Sequence, residues 1–496
     1  MYKLIKSILK HASVYGLGDI LAKGIAFFMI PFYTRFLSTE QYGTLELLDL
    51  TSYVVAMILA TGVGEAVYRF YYNYDDPEKK KTVISTAMIT YWVNLAIGLP
   101  LLLLFSADIS NLVFETVDFY RLFHIMFITT GIALSNEIPR VFLRIQRKSK
   151  LFVAVSLTKL VINLGLNILF IVKYDMGVEG ILYGGLIATA IVGIFLLIYV
   201  FTQVKLKFSF EILNAMVKYG LPLVLNWLGM FVLHFGDRFL LQRFSSLADV
   251  GIYGVAYKFG MVLNFMILTP FLNIWKPKQF EIAKEPDAKN IFANIFTYFC
   301  FVIVFAGLGL SVLIKDIVFI MADTDYHSAS IYVPVLLLAN IFFMAYWFTQ
   351  VGLLIEKKTK YLGLAALYGA IINVGCNMAL IPRLGVWGAT ITTLVSFSFF
   401  LAFTTYYSQR FYFIPYQKNR LIKMAVAAGV LFFVGYSINP ANVWVSIFVK
   451  SLVALAFPFV LLVIKFYSKD ELKKFKELFG NLTKKSNRDM AHKQEN

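Results

Sequence analysis

Ionisable residues stand inside several long apolar runs of this sequence, and they are the side chains best placed to do chemistry there. In the first run Asp19 and Lys23 are four residues apart, a spacing that brings two side chains together as an ion pair on a helix. The second run carries Glu46 and Asp49, with Glu65 near its end. An ionisable group at bilayer depth costs about 2.5–3.5 kcal/mol on insertion scales, so each of these residues is a candidate functional residue.

Cationic residues occupy further runs, with Arg140 in the fourth, Lys159 in the fifth and Lys258 in the eighth. Arginine suits bidentate recognition of phosphate, whereas lysine acts as a compact point charge. We predict that one set of residues binds an anionic group: Lys23, Arg140, Lys159 and Lys258. We predict that a second set pairs with these cations or carries a coupling proton or sodium ion: Asp19, Glu46, Asp49 and Glu65.

Asp237 and Arg238 stand at the predicted outer end of the seventh run, where we predict an outer gate. A purely structural interpretation stays open for each of these charged residues, because long side chains near the end of a run reach the membrane surface at lower cost. For the set as a whole, the pattern favours a polar cavity between two halves of the molecule.

Sequence motifs of enzymes and metal sites are missing. The sequence has no G-x-x-x-x-G-K-[ST] loop for ATP, no H-E-x-x-H, no paired cysteine motif and no G-x-S-x-G. The five histidines are scattered without ligand spacing. We therefore expect no enzyme, no cofactor and no metal site.

The elements that must position these charges are membrane-spanning helices. Hydrophobic residues make up 59% of the 496 residues and charged residues 15%, against about 45–50% and about 25% in soluble domains. Runs near the ~20 residues that cross a bilayer recur along the chain, and they are continuously apolar, which favours helices over strands. The sequence predicts an all-α integral membrane protein with about fourteen transmembrane helices, at roughly 12–36, 42–66, 83–106, 120–143, 151–172, 177–201, 213–236, 250–274, 291–314, 328–353, 361–381, 385–407, 421–438 and 443–465.

The net charge of +17 is distributed unevenly. Most lysines and arginines lie at the N-terminus, in the even-numbered connections between runs and in the C-terminal tail, which together form a lysine-rich side. Such a skew is typical of membrane orientation and not of nucleic-acid binding, and it predicts that the lysine-rich side and both termini are cytoplasmic. Direct binding of an anionic partner by these lysines stays open as a second interpretation.

An internal repeat divides the chain. "NLGLNILFIVKYDMGVEG" begins at Asn163 and "NVGCNMALIPRLGVWG" begins at Asn373, and each holds two asparagines four apart, followed by a loop and Gly-Val-x-Gly. The repeat unit is six runs, an even number, so both copies cross the membrane in the same direction. We predict two six-helix lobes at residues 1–202 and 219–408, a cytoplasmic linker at 203–218, helices 13 and 14 within 409–467, and an amphipathic and disordered tail at 468–496.

Two stretches resemble bacterial polysaccharide-export flippases of the O-antigen and capsule type. They are "YGLGDILAKGIAFFMIPFYTRFLSTEQYGTLELL" at the start of the first lobe and "YGLPLVLNWLGMFVLHFGDRFLL" at the start of the second. The wider superfamily, the multidrug/oligosaccharidyl-lipid/polysaccharide exporters, shares the asparagine–glycine phrases. The resemblance implies fourteen helices in a V-shaped pair of lobes in the bacterial cytoplasmic membrane. It also implies alternating access that moves oligosaccharide on undecaprenyl pyrophosphate to the outer leaflet.

Two other functions compete with this one. An ion-coupled multidrug antiporter of the same fold should have a cavity dominated by carboxylates and prefer organic cations, whereas Arg140 and Lys159 favour an anion. A polymerase or glycosyltransferase of the same pathway needs large polar loops, and the connections here are short. Beyond the lipid-linked substrate and membrane lipid, we expect a proton or sodium ion as coupling partner and a polysaccharide polymerase as neighbour. We expect no nucleic acid, and a monomer, because two fused lobes already enclose one cavity.

Overall fold

The protein is described by a computed structural model that covers residue 27, residues 29–469 and residues 471–473. Throughout these residues the regular elements are helices, without a strand. Twelve of the helices are long and apolar enough to cross a membrane. The predicted all-α membrane fold is therefore confirmed, while the count of fourteen spans stays a prediction.

The first half of the chain contains nine helices in the described residues. Their bounds are α1 (Ile30–Phe36), α2 (Thr39–Ala60), α3 (Val63–Tyr71), α4 (Pro77–Leu104), α5 (Ser106–Phe114), α6 (Tyr120–Ser135), α7 (Glu137–Ile145), α8 (Ser149–Ile168, continued by a π turn at Leu169–Lys173) and α9 (Gly177–Phe201).

The second half continues with α10 (Phe210–Phe244), α11 (Leu247–Gly260), a π turn (Asn264–Leu268), α12 (Thr269–Ile282), α13 (Ala288–Met321), a 3₁₀ segment (Thr324–Ile331), α14 (Val333–Thr349), α15 (Val351–Ile355), α16 (Lys360–Leu384), α17 (Val386–Phe411), α18 (Lys418–Ser437), α19 (Val443–Leu455) and α20 (Phe457–Val463).

Two predicted spans are missing from the twelve, for different reasons. The first predicted span lies largely outside the described residues. The fourth is broken at Asn136 into α6 and α7, neither of which crosses a bilayer alone. The Asn136 amide donates to the Thr189 carbonyl at 3.2 Å, so the break is bonded to α9. Pro139 follows in the first turn of α7, where its missing N–H costs no helical hydrogen bond.

Each repeat copy has a glycine with positive φ at its turn. Gly177 and Gly385 both have a φ of +52°, a left-handed conformation that glycine adopts without strain. Three residues later, a Cβ on Gly180 would lie 2.8 Å from the Phe170 Cβ, and one on Gly388 would lie 2.6 Å from the Leu380 backbone. Both copies therefore turn at a glycine and bring the adjoining helices close together.

The segment between the predicted lobes is bonded to α4. The Lys207 N–H donates to the Ser85 hydroxyl at 2.7 Å, and the Ser209 N–H donates to Thr86 at 3.2 Å. These two side chains satisfy backbone donors that a loop would otherwise leave to water.

The described residues form two compact units. The first contains the described residues up to Phe280 together with Ile317–Tyr412, and the second contains Glu281–Asp316 with the described residues from Phe413 onward. Within the second unit, Lys450 on α19 donates to Asp316 on α13 at 2.7 Å, and both side chains are buried. Such a pair is strongly destabilising to break because one partner would be left as an unpaired buried charge. The boundaries predicted from the sequence for the two lobes, the linker, helices 13 and 14 and the tail stay predictions.

Candidate functional site

A cavity of about 600 Å³ lies inside the first compact unit. Residues of both predicted lobes line it, from α2, α8 and α9 on one side and from α10 and α11 on the other. Among the described residues, its charged lining consists of two carboxylates and two cations: Glu46, Asp49, Arg238 and Lys258. Four of the residues predicted from sequence are thus brought together at one cavity.

Two serine-capped helices position the charges of Glu46 and Lys258. Helix α2 starts after Ser38, whose hydroxyl accepts from the Gln41 N–H at 3.2 Å in a capping box. Helix α11 starts after Ser246, whose hydroxyl accepts from the Asp249 N–H at 3.1 Å. From each cap, the helix continues to the wall of the cavity, which it lines.

The two helices touch through glycines. A Cβ on Gly43 would lie 2.0 Å from the Leu247 carbonyl oxygen, and one on Gly251 would lie 2.0 Å from the Thr39 carbonyl oxygen. No larger side chain fits at either position, so the backbones approach each other as small residues allow in membrane helix packing.

Just inside this crossing, Lys258 of α11 pairs with Glu46 of α2. The ammonium nitrogen lies 3.1 Å from Glu46 Oε2 and donates to the Tyr42 hydroxyl at 2.9 Å. The Lys258 side chain is 42% exposed and the Glu46 side chain 11% exposed. Lys258 is therefore a paired cation that still reaches the cavity.

Asp49, one helical turn beyond Glu46, is exposed to the cavity. Within the described part of the chain it has no hydrogen bond and no ion pair at bonding distance. Asp49 is thus the acid of this cavity that is open to a proton or a cation.

Asp237 and Arg238 form a second, fully buried pair, with 2.6 Å between Asp237 Oδ1 and the Arg238 guanidinium. The Tyr253 hydroxyl donates to the other Asp237 oxygen at 2.6 Å, and the Arg238 guanidinium lies 3.9 Å from the Tyr257 ring centroid. Arg238 reaches the cavity wall, whereas Asp237 lies behind it.

The position of this pair along its helix differs from the expectation. Helix α10 continues to Phe244, so Asp237 and Arg238 lie inside the helix and not at its end. The apolar sequence resumes after the pair, and the two charges are compensated by each other and by tyrosines, which lets the helix continue. Their role as an outer gate stays a prediction.

Arg140 and Lys159 lie near each other on α7 and α8, close enough for their charges to interact. The Arg140 guanidinium donates to Ser156 at 3.2 Å and lies 5.6 Å from the Phe152 ring centroid. Neither cation belongs to the lining of the 600 Å³ cavity. Their predicted contact with an anionic group stays a prediction.

Glu65 lies apart from these groups. It lines a second cavity of about 390 Å³, together with Glu137 and Arg144. Asp19 and Lys23 lie outside the described residues.

Sequence reasoning missed the tyrosines of the site. Tyr42 binds Lys258, Tyr253 binds Asp237 and Tyr257 packs on Arg238. The sequence holds 29 tyrosines, and nothing in the spacing of these three distinguishes them from tyrosines at membrane surfaces. In the part of the chain that the structure describes, His, Cys, Asp and Glu form no group of three that could hold a metal ion.

Known proteins share this architecture. Agl15 of Haloferax volcanii, described as a probable low-salt glycan biosynthesis flippase, is 21% identical over 432 residues, which cover 84% of this chain and 87% of the relative. The structure of the lipid II flippase MurJ in an inward closed conformation matches with a TM-score of 0.71 at 15% identity, over 91% of this chain and 99% of that one.

A second solved structure extends the likeness. An inward-facing multidrug resistance MATE family transporter of the MOP superfamily matches with a TM-score of 0.63 at 16% identity, over 80% of this chain and 94% of that one. At these identities the likeness shows the fold alone, which this chain shares with both transporters.

A family model described as "Polysaccharide biosynthesis protein" matches residues 8–278, more than half of the chain. These relatives are flippases and transporters, in agreement with the resemblance found in the sequence. The chain is therefore a membrane transporter and not an enzyme, and it belongs to the polysaccharide biosynthesis protein family.

Proposed function

We propose that this protein moves undecaprenyl-pyrophosphate-linked oligosaccharide repeat units from the inner to the outer leaflet of a bacterial cytoplasmic membrane. The product serves a surface polysaccharide of the O-antigen or capsule type. Membership of the polysaccharide biosynthesis family supports a saccharide on a lipid carrier, as does the glycan flippase among the relatives.

One observation carries the choice of an anionic head group. Lys258 stands at a 600 Å³ cavity between helices of the two predicted lobes, and almost half of its side chain is exposed there. An ammonium group in a cavity of low dielectric attracts phosphate more strongly than it does in water. The pyrophosphate binds at Lys258, while the polyprenyl tail stays in the bilayer.

Alternating access moves the head group. The lobes rock about the cavity and expose it to each leaflet in turn. Asp49 is available to carry a coupling proton or sodium ion, and consumption of the product outside is the other source of direction. Both termini lie in the cytoplasm, the protein acts as a monomer, and a polysaccharide polymerase takes the product.

The test is made in cells that lack the gene, by extracting lipid-linked oligosaccharides and assaying surface polysaccharide. Wild type is expected to clear the lipid-linked units, whereas Lys258→Gln is expected to leave them accumulated. Lys150→Gln, which changes an exposed lysine in the first turn of α8, is the matched control and should clear them. A second arm, Arg140→Ala with Lys159→Ala, asks whether those two cations contribute.

Clearance by a well-expressed Lys258→Gln variant would contradict the anion site, and unchanged lipid-linked oligosaccharide in the deletion strain would contradict the flippase function.

A second candidate function is extrusion of organic cations coupled to an ion gradient. The carboxylates of Glu46 and Asp49 on the same cavity favour it. It requires that deletion of the gene raise the sensitivity of cells to cationic drugs while polysaccharide is unaffected, and that Asp49→Asn fail to restore resistance.

A further inference from the structure

The Glu46–Lys258 pair joins two helices that also touch through their backbones. Gly43 and Glu46 are one turn apart on α2, facing Gly251 and Gly254 on α11. A Cβ on Gly254 would lie 3.3 Å from the Glu46 carboxyl carbon, so the glycine leaves the space that the carboxylate occupies. The ion pair therefore completes one continuous contact between the predicted lobes.

This contact begins on the lysine-poor side of the molecule, where both helices start, and it extends to Lys258 in the last turn of α11. Other bonds cross there as well: the Tyr326 hydroxyl donates to the Leu37 carbonyl at 2.9 Å, and the Asp323 N–H donates to Thr34 at 3.3 Å. Among the bonds that the described residues show here, those of Lys258 to Glu46 and to Tyr42 line the cavity, and the bond to Glu46 joins two charges. A ligand in the cavity can compete with Glu46 for Lys258. The residues of the other two bonds, Tyr326 with Leu37 and Asp323 with Thr34, do not line the cavity.

Glu46 occupies, at Lys258, the position that an anionic ligand would take. Its carboxylate accepts from Lys258 and also interacts electrostatically with Arg238. A phosphate group in the cavity would accept from Lys258 as Glu46 does, but unlike Glu46 it is not attached to α2.

We propose that the Glu46–Lys258 pair fastens α2 to α11, and that the anionic head group of the substrate releases it by replacing Glu46 at Lys258. The identity of that head group rests on the proposed function. Release leaves the glycine contact without its charged bond, so the two helices separate on the lysine-poor side. A head group without charge cannot displace Glu46, and the pair therefore also selects the substrate.

The experiment measures the separation of α2 and α11 in the full-length protein in nanodiscs. Spin labels are placed at Glu40 and Ala248, with Cys300 and Cys376 replaced by alanine, and distances are read by double electron–electron resonance. Inorganic pyrophosphate is the probe. Wild type is expected to show a short distance that lengthens when pyrophosphate is added.

Four variants complete the design. Glu46→Gln should raise the long-distance population roughly fivefold without pyrophosphate, as expected for loss of one partly exposed ion pair. Glu179→Gln, an exposed glutamate on the same side of the membrane, should behave as wild type. The exchange Glu46→Lys with Lys258→Glu should restore the short distance and abolish the response to pyrophosphate. Lys258→Met alone should give the long distance with no response.

Unchanged distances in Glu46→Gln would overturn the proposal, and so would a long distance in the exchanged variant. A wild type that stays short at saturating pyrophosphate would overturn release by an anion. These readouts are independent of clearance in cells. If wild type shows the short distance but does not clear lipid-linked saccharide, only the proposed function is contradicted. If cells clear the saccharide while the distance in Glu46→Gln stays short, only the proposed role of the pair is contradicted.

Discussion

The two asparagine pairs of the repeat occupy matching positions in sequence but different surroundings in the structure. In the second copy, Asn373 and Asn377 are both buried, and the Asn377 amide donates to the Asn373 carbonyl oxygen at 3.0 Å. In the first copy, Asn167 is buried and donates to the Tyr33 hydroxyl at 2.8 Å, whereas Asn163 lines the cavity. The pair thus packs helices in the second copy, whereas in the first copy one of its members, Asn163, faces the cavity.

The residue one turn earlier shows the same difference. Lys159 on α8 matches Gly369 on α16, and a Cβ on Gly369 would lie 3.1 Å from the Phe400 ring. A Cβ in the second copy would press on the Phe400 ring, whereas the first copy holds a half-buried lysine. The duplicated scaffold therefore keeps its packing in both copies, and the first copy alone has charge at this position.

Gly369→Lys should have the largest effect, because it places a lysine against Phe400 without space or partner. We expect loss of about 3 kcal/mol or more of unfolding free energy from overpacking and an unpaired buried charge. Thermal melting in detergent, followed by size-exclusion chromatography, measures it. Gly363→Lys on the same helix, where a Cβ meets nothing within 4 Å, is the control and should melt near wild type. If the two variants melt at the same temperature, α16 packs no more tightly at Gly369 than α8 packs at Lys159.

Asn373→Ala should have an intermediate effect. It removes the amide that donates to the Leu233 carbonyl at 3.4 Å and to Ser396 at 3.3 Å, and it leaves the Asn377 amide without its acceptor. A loss of about 1–2 kcal/mol is expected, the value of one or two such bonds in a membrane protein. Melting as for wild type would show that the second pair is not structural.

Asn163→Ala should have the smallest effect on stability. The Asn163 Oδ1 atom has no hydrogen-bond partner in the described residues, so the unfolding free energy should change by no more than about 0.5 kcal/mol. Clearance of lipid-linked oligosaccharide should nevertheless fall, because the amide faces the cavity. If Asn163→Ala instead melts as low as Asn373→Ala, the two copies are equivalent and the comparison fails.

Features that depend on local chemistry could be predicted from the sequence. The glycine turns follow from a repeated Gly-Val-x-Gly after an apolar run, since a left-handed residue and a close approach both select glycine. The membrane fold follows from composition and the length of the runs. The break at Asn136 could have been suspected from Pro139, but an apolar run with one proline also fits an intact helix.

Features that depend on the rotation and depth of helices could not be predicted. The sequence identified Glu46, Asp49, Arg238 and Lys258 as candidates, but Glu46 and Lys258 belong to different halves, and their pairing requires the glycine crossing to fix the register of α2 against α11. Arg140 and Lys159 were equally plausible, and the rotation of α7 and α8 places them away from the larger cavity. Asp237 and Arg238 were assigned to a helix end because two adjacent charges usually end an apolar run.

The glycine crossing has one further consequence. The contact is reciprocal. Gly43 faces the carbonyl of Leu247, which lies four residues before Gly251, and Gly251 faces the carbonyl of Thr39, which lies four residues before Gly43. The separation of Gly43 from Gly251 along the chain equals that of Gly177 from Gly385, so the contact joins equivalent positions of the two copies. This is the pattern of an isologous interface, in which one surface patch meets itself across a two-fold axis. The fused protein therefore contains within one polypeptide a contact of the kind that joins two identical subunits in a homodimer.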